Sequence, residues 1–406
     1  MSKIIMFFLI SSPLVDYAYK IKFLSLWGFD LSPNRIFKFI PIVIFLLCLS
    51  LERKNVFIWK YPFFLLIFSS ISLFLGILSF PSESLDVYIR FISSFIFIFL
   101  SGKLLNDEDI ILTLKIVTIL TLIPITISYL QFLQVIPYTD FDYISGIQVG
   151  RVSGGYEKQV AMMSYLFYSF SFVLFYFFNS GRALIKFFCV IYIISVLGVV
   201  VLSTHRASII VFTIILTYFA YRYNKRYLIA LIVIFSIFIL QNNELLKMFF
   251  INNIDIGTGD WTFRGRTGFW QDYIYNLINS GIISIIIGKG HSVLDTLNAQ
   301  HLPFLWDEPH SDIIRIIYQY GFVGFLLFFY ILGISIYKSF RFRNITFTIQ
   351  QRLISDIGII IGFSLLMYSI TIEPTRYPAF WWYYSAIISY ILVNWSKFKN
   401  ESSIYN

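Results

Sequence analysis

The sequence predicts an all-α polytopic membrane protein, and three observations lead there. Of 406 residues, 58% are hydrophobic and only 13% charged, too few polar groups to cover the surface of a water-soluble domain. The apolar residues are gathered in runs near the length, about 20 residues, that a bilayer-crossing helix needs. Lysine and arginine fall mainly in short clusters between those runs, where they act as orientation signals.

Twelve apolar runs are candidate spans, near 4–19, 34–51, 61–80, 87–105, 110–136, 159–179, 185–202, 207–221, 226–241, 312–337, 353–371 and 379–395. The first follows Lys3 as IIMFFLISSPLV with no small-residue cleavage site after it, and reads as an uncleaved span. If the N-terminus is cytoplasmic, the inner segments hold 16 of the 31 basic residues, Lys3, Arg53, Arg222 and Arg343 among them. The opposite short loops, such as PSESLD at 81–86, are poorer in them, so both termini are expected inside. The chain then divides into a bundle of about nine helices over 1–241, a large outer loop over 242–311, and about three C-terminal helices with a short tail over 312–406.

The net charge of +9 suggests nucleic acid, but the cations are split among membrane connections and no nucleic-acid-binding motif is present. Cys48 and Cys189 both lie in apolar spans, which argues against a disulfide framework and a thiolate metal site. The histidines offer no close pair on one helix, so no metal is expected. Asp107–Glu–Asp109 and Asp140–Phe–Asp142 have the acid-x-acid form of metal-dependent nucleotide-sugar enzymes, a pattern that 22 acids also produce by chance. GKGH at 288–291 lacks the glycine spacing and the hydroxyl of a P-loop.

On the predicted outer side the rarer polar residues collect. All four histidines (His205, His291, His301, His310) fall there, with Arg151, Arg206, Arg264, Arg266, Lys289 and Arg376. The bland account pairs these cations with Glu157, Asp260, Asp272, Glu308, Asp312 and Glu373. As a set they favour a shared anionic ligand, because guanidinium binds phosphate bidentately and stays charged. GRVSGGYEKQ carries Arg151 and Glu157 on a glycine-containing loop; STHRASII places His205 and Arg206 in a tight hairpin at the membrane boundary; WTFRGRTGFW supplies Arg264 and Arg266. FWQDYIYNLINSGIISIII, also in the loop, has the pattern of an amphipathic helix on the membrane face. Lys289 and His291 are expected to face the same cavity.

In EPHSDIIRIIYQYGFVG, Pro309 suits a first helical turn, which puts His310 beside unpaired backbone amides. That positive end disfavours the imidazolium and leaves the neutral ring that a general base needs; the alternative is a histidine bonding the backbone as a cap. Asp312 and Arg315, i to i+3, are spaced to pair on one face. Gly321 and Gly324 suit close packing against another helix.

This stretch resembles the motif of the bacterial O-antigen ligase and polymerase superfamily: His310, Ser311, nine residues, Gly321, two residues, Gly324. Arg206 in LSTHRASII and Arg266 in RGRTGFW resemble two arginines of the same superfamily, and the likeness runs over roughly residues 145 to 335. The resemblance implies a GT-C-like, metal-independent membrane glycosyltransferase needing no cofactor, in the bacterial inner membrane with its active site facing the periplasm. It implies undecaprenyl-diphosphate-linked glycan as donor and acceptor, with a chain-length regulator and a flippase as further partners. His310, Arg206 and Arg266 would be catalytic; Arg151, Glu157, His205, Arg264, Lys289, His291, Glu308, Arg315 and Arg376 would line the substrate site. Direct displacement would invert the anomeric carbon. The phenylalanine-rich, lysine-flanked character resembles surface-polysaccharide polymerases and puts a polymerase ahead of a ligase that transfers polymer to lipid A–core. A lipid-linked oligosaccharide flippase is the alternative of another class, kept open by Arg90 and Lys115 inside predicted spans, but a transporter places charges near the midplane.

Overall fold

The computed structural model describes residues 1–17, 24–26, 29–31, 33–51, 56, 59–78, 81–144, 147–203, 205–226, 266–291, 311–346 and 348–402. The predicted span at 226–241 lies, but for its first residue, outside them, as do Arg264, His301, Glu308 and His310.

Among the described residues the elements are α1 (Ser2–Tyr17), β1 (Leu24–Leu26), β2 (Phe29–Leu31), α2 (Pro33–Leu51), α3 (Lys60–Ile77), α4 (Pro81–Ile96), α5 (Ser101–Leu104), α6 (Asp107–Leu120), α7 (Leu122–Phe132), β3 (Asp140–Ile144), β4 (Ile147–Arg151), α8 (Gln159–Asn179), α9 (Ala183–Leu202), α10 (Arg206–Tyr223), α11 (Arg266–Asn279), α12 (Ile282–Ile287), α13 (Asp312–Ile345), α14 (Ile349–Thr371) and α15 (Pro378–Ser402). Two antiparallel hairpins, β1–β2 and β3–β4, stand beside the helices. An all-α reading misses them because each strand is only three to five residues long.

Seven segments are long and apolar enough to cross a membrane: Lys60–Ile77, Ser84–Leu104, Asp107–Phe132, Gln159–Asn179, Ala183–Leu202, Asp312–Ile345 and Ile349–Ile370. The chain is a polytopic helical membrane protein. Shorter apolar helices occupy Ile36–Leu51 and Ala207–Tyr223, and α1 has 16 residues, so the number of full-length spans among the described residues falls below the twelve expected from apolar runs. Three of these spans are interrupted, one of them α13 at Gly321. A 3-10 turn at Phe97–Phe99 separates α4 from α5, and the chain turns at Thr121 between α6 and α7.

The core lies where α4, α8, α14 and α15 meet. It is mostly aromatic: Phe95, Phe167, Tyr168, Phe380, Trp381, Trp382 and Tyr383 are all buried. Rings paired edge-on, as Phe328 and Trp381 are at 5.3 Å, gain beyond their burial. Most of the polar tips are satisfied inside: Trp382 Nε1 donates to Ser93 Oγ at 3.0 Å and the Tyr383 hydroxyl to the Leu9 carbonyl at 2.7 Å, whereas Trp381 Nε1 makes no hydrogen bond among the described residues. In hydrocarbon, where water cannot serve as partner, each such bond avoids a desolvation cost.

Helix α13 is not continuous. Gly321 adopts φ +68° and ψ −175°, a conformation that favours glycine, and the intrahelical ladder stops there. The carbonyls thereby released are met from outside the helix. Lys289 N donates to the Tyr318 carbonyl at 2.9 Å and Gly290 N to that of Gln319 at 3.3 Å, while Ser72 Oγ on α3 also reaches the Gln319 carbonyl at 2.9 Å. A Cβ on Gly321 would overlap the Ile286 carbonyl. The close packing against another helix expected of Gly321 is therefore found, on the last turn of α12 and the residue that ends it; at Gly324 a Cβ would meet the Tyr320 side chain of its own helix. The amphipathic segment before it is two helices, α11 and α12, divided at Ser280–Gly281, with Tyr273 and Leu277 packed on Tyr318 and Tyr275, Ile282 and Ile283 exposed.

Candidate functional site

Several helices begin on one face of the bundle. The N-terminus of α13 sits against the turn between α14 and α15: Asp312 N donates to the Ile372 carbonyl at 3.1 Å, and the Asp312 carboxylate accepts from Thr375 N at 3.0 Å and from the Thr375 hydroxyl. One turn on, Arg315 points to the same turn. Its Nη1 lies 3.7 Å from Glu373 Oε2, and Arg376 Nη1 lies 3.4 Å from that same oxygen. The expected Asp312–Arg315 pairing along one helix face is replaced by two separate attachments across helices; the spacing permitted the pair, but Thr375 and Glu373 are the partners. Arg315 Nε also donates to Gln319 Oε1 at 3.3 Å. Arg315 and Glu373 are buried, with 7% and 4% of their side chains exposed, whereas Arg376 is 29% exposed. One guanidinium is thus sealed inside and the other reaches the surface.

The start of α8 joins from the other side. Asp140 on β3 accepts from Gln159 N at 3.0 Å and pairs with Lys158 Nζ at 3.3 Å, so this acid caps a helix, as Asp109 does in the capping box with Asn106 at the start of α6. Capping accounts for Asp140 and Asp109, while Asp107 accepts from the Tyr390 hydroxyl of α15. Gln131 Oε1 holds the approach to α8 by accepting from Ser153 N and Gly154 N, both at 3.0 Å. Gln159 Nε2 bonds the Ser203 carbonyl and ties α8 to the α9–α10 turn.

His205 stands in that turn. Its Nδ1 lies 2.7 Å from Ser208 Oγ and 3.2 Å from the Tyr368 hydroxyl of α14, which is itself 2.7 Å from Ser208 Oγ. Tyr377, beside Arg376, joins the two halves: it is within electrostatic reach of Arg376, Glu373, Asp140 and Glu157, and burial pushes its phenol up to about 12. The hairpin at 140–151, the turn at 372–377 and the beginnings of α8, α10, α13 and α15 therefore make one site face.

Of the residues expected to bind substrate, Arg315, Arg376, His205 and Glu157 are on this face, Glu157 with its side chain exposed. Arg151 lies across β3–β4 from Asp140. Arg206 opens α10 and Arg266 opens α11. Lys289 and His291 are used differently from the cavity-facing role expected of them. Lys289 Nζ bonds Asn276 Oδ1 at 2.6 Å and lies 5.7 Å over the Tyr318 ring. His291 is fully buried, its Nε2 3.3 Å from the Ser69 carbonyl and its ring edge-on to Tyr88 and Tyr320. Burial, with Arg315 nearby as the smaller cause, pushes its pKa down to about 3. These two side chains fasten the 288–291 segment to α3, α11 and α13. Among the described residues no group of three or more His, Cys, Asp or Glu side chains could hold a metal.

An apolar groove of about 470 Å³ runs between α7 and α9, lined by Leu122, Ile125, Tyr129, Leu130, Phe188 and Ile191. Leu122, Phe188 and Ile191 are exposed along it.

Residues 191–329 match the family model described as O-antigen ligase. A domain of that family is present over this part of the chain, consistent with the O-antigen ligase and polymerase superfamily and indifferent to the subtype. The matched segment contains Arg206, Arg266 and the His310–Gly321–Gly324 motif, the residues on which the resemblance was drawn. No curated protein matches the chain.

Proposed function

We propose that the protein is a membrane glycosyltransferase that moves a glycan from a polyprenyl diphosphate carrier to an acceptor hydroxyl. The observation that carries this reading is the O-antigen ligase match over 191–329, which spans the arginines and the histidine motif. The match to an O-antigen ligase family favours the ligase, transfer to lipid A–core, over the polymerase that general sequence character puts first. The polymerase remains the second reading because the motif is shared by both.

In this reading the site face is periplasmic, both termini are cytoplasmic, twelve spans form a GT-C-like bundle with 242–311 as its outer loop, and undecaprenyl diphosphate is the carrier. The acceptor oxygen attacks the anomeric carbon, its proton passes to His310, and the carbon–oxygen bond to the diphosphate breaks with the electron pair leaving on phosphate. Arg206 and Arg266 hold that leaving group, since fixed cations stabilise charge where it develops. One-step displacement inverts the anomeric configuration. The groove between α7 and α9 suits the isoprenoid tail, because an apolar channel facing lipid is filled by hydrocarbon rather than water.

The surface glycan of a deletion strain separates the readings. Unsubstituted core with accumulated lipid-linked polymer means ligase, and core bearing a single repeat means polymerase; an unchanged glycan profile overturns both. Arg206→Ala, Arg266→Ala and His310→Ala are each expected to reproduce the deletion profile with the protein still in the membrane.

A further inference from the structure

Arg376 is the one guanidinium of the Glu373 cluster with substantial exposure, 29% against 7% for Arg315. It is the last residue of the 3-10 turn Pro374–Arg376. The residue before it, Thr375, is gripped twice by Asp312, through its backbone N–H at 3.0 Å and through its hydroxyl, and Asp312 is completely buried. The grip is reciprocal, since Asp312 N bonds the Ile372 carbonyl at the other end of the turn. Beneath it, Glu373 Oε2 takes Arg376 on one side and the buried Arg315 on the other.

The stretch Asp312–Tyr320 is itself fixed at both ends. Asp312 is fastened to the turn, and at the Gly321 break the Tyr318 and Gln319 carbonyls are fastened to Lys289 N and Gly290 N. Such over-determination of a buried polar cluster is what holds a charged group to a position rather than to a region.

We propose that Arg376 contacts an anionic group of the substrate at the mouth of the site, and that Asp312 and Thr375 are positioning residues that aim it. The anionic group is a phosphate of the carrier, which rests on the glycosyl-transfer reading above. Arg315 has the complementary task of holding Glu373 in place from below: it is too buried to meet substrate itself, and its pull on the shared oxygen keeps that carboxylate where Arg376 needs it. Asp312, two residues after the histidine of the motif, thereby acquires a role through Arg376 that is separate from acid–base chemistry.

The test is a mutant cycle on the purified full-length protein in proteoliposomes, with a polyprenyl-diphosphate-linked oligosaccharide as donor. Asp312→Asn and Thr375→Val are each expected to lower kcat/KM for the donor about tenfold, a size usual for displacement of a binding group. Thr375→Ser, which keeps the hydroxyl, retains activity. In an Arg376→Ala background, Asp312→Asn costs nothing further, because residues that act through one another are not additive. The full tenfold loss persisting in that background overturns the proposal, since a merely structural residue would act with or without the arginine.

If the wild-type protein transfers no glycan from this donor, the glycosyl-transfer reading fails, and the clamp is read by a second measurement. In Arg376→Cys, labelling at position 376 by a membrane-impermeant maleimide is compared with and without Asp312→Asn; the native Cys48 and Cys189 are buried. A change in rate of about threefold or more supports the clamp, and an unchanged rate overturns it.

Discussion

Helices α13 and α14 are joined near each end by an arginine and an acid, and the two junctions are built differently. Away from the site face, Arg343 Nε donates to Asp356 Oδ1 at 2.9 Å, the same oxygen accepts from the Tyr218 hydroxyl at 2.8 Å, and Oδ2 takes the hydroxyl of Tyr223. At the site face, Arg315 and Arg376 share a single oxygen of Glu373 at 3.7 and 3.4 Å, and Arg315 Nη1 makes no hydrogen bond among the described residues. The first junction is saturated and short; the second is long and spreads two cations around one carboxylate oxygen. A saturated buried acid has its desolvation cost offset by its own donors. The stretched junction sets one guanidinium inside and a second, 29% exposed, at the surface beside the helix starts, and on the proposed reading the exposed one meets an anion arriving from outside. In that reading, stability and function are divided between the two ends of one helix pair.

The largest effect that would break this contrast is at the saturated end. Asp356→Ala leaves Arg343 and two tyrosines without their acceptor in the protein interior, and is expected to cost about 3–5 kcal/mol, read as a fall in the unfolding midpoint in detergent. If it leaves the midpoint unchanged, the junction is not a staple. At the site end Arg376→Ala is expected to lower transfer about a hundredfold, equivalent to about 2.7 kcal/mol of transition-state stabilisation, with the unfolding midpoint within experimental scatter of the wild type. A matching loss of stability would erase the distinction between the ends.

Acidity sharpens the picture around the Gly321 break. His291 is neutral in the folded protein because its pKa lies near 3, whereas the unfolded chain takes up a proton near pH 6.5. Above that pH both states are neutral and the group contributes nothing. Between about 6.5 and 3 the unfolded state binds the extra proton, and the folded state loses about 1.4 kcal/mol per pH unit. The unfolding midpoint is therefore expected to fall from pH 7 to pH 5, and to fall less in His291→Asn; equal slopes in the two proteins would remove His291 from this account. Gly321→Ala is expected to cost at least about 1–3 kcal/mol for placing a side chain at φ +68°, ψ −175°, a region essentially confined to glycine, with the overlap on the Ile286 carbonyl added to it. A neutral result by thermal unfolding would mean that α13 closes its own ladder when the break is discouraged.

What the sequence made legible follows the range of the forces involved. The apolar runs found their helices wherever the residues are described, because burial in lipid is additive along a segment and needs no partner. The clustering of Arg315, Arg376 and His205 on one face was legible too, since it follows from which ends of the helices share a side. Pairwise choices were not. Asp312 at i to i+3 from Arg315 satisfied the local rule for a helix pair, yet a threonine sixty-three positions away is its partner; local spacing carries no information about which turn another helix presents. Asp356 drew no attention in the sequence for the same reason, its donors coming from α10 and α13. Asp140 was weighed as part of a metal-like acid pair and proved to be a helix cap, a role visible in hindsight only from its hairpin placing it beside Gln159. Gly288 and Gly290 were passed over with a rejected phosphate-loop pattern, although close backbone approach is itself a reason for glycine.

The break at Gly321 has a consequence for how the chain is made. Bare carbonyls of Tyr318 and Gln319 would be costly to hand to the hydrocarbon phase, and the amides that quench them, at Lys289 and Gly290, are synthesised some thirty residues earlier. Translation therefore delivers the plug before the gap. Lengthening or shortening the 282–291 stretch would leave insertion of the later half-helix without its acceptor-matched companion, and the defect would show first as turnover of newly made protein.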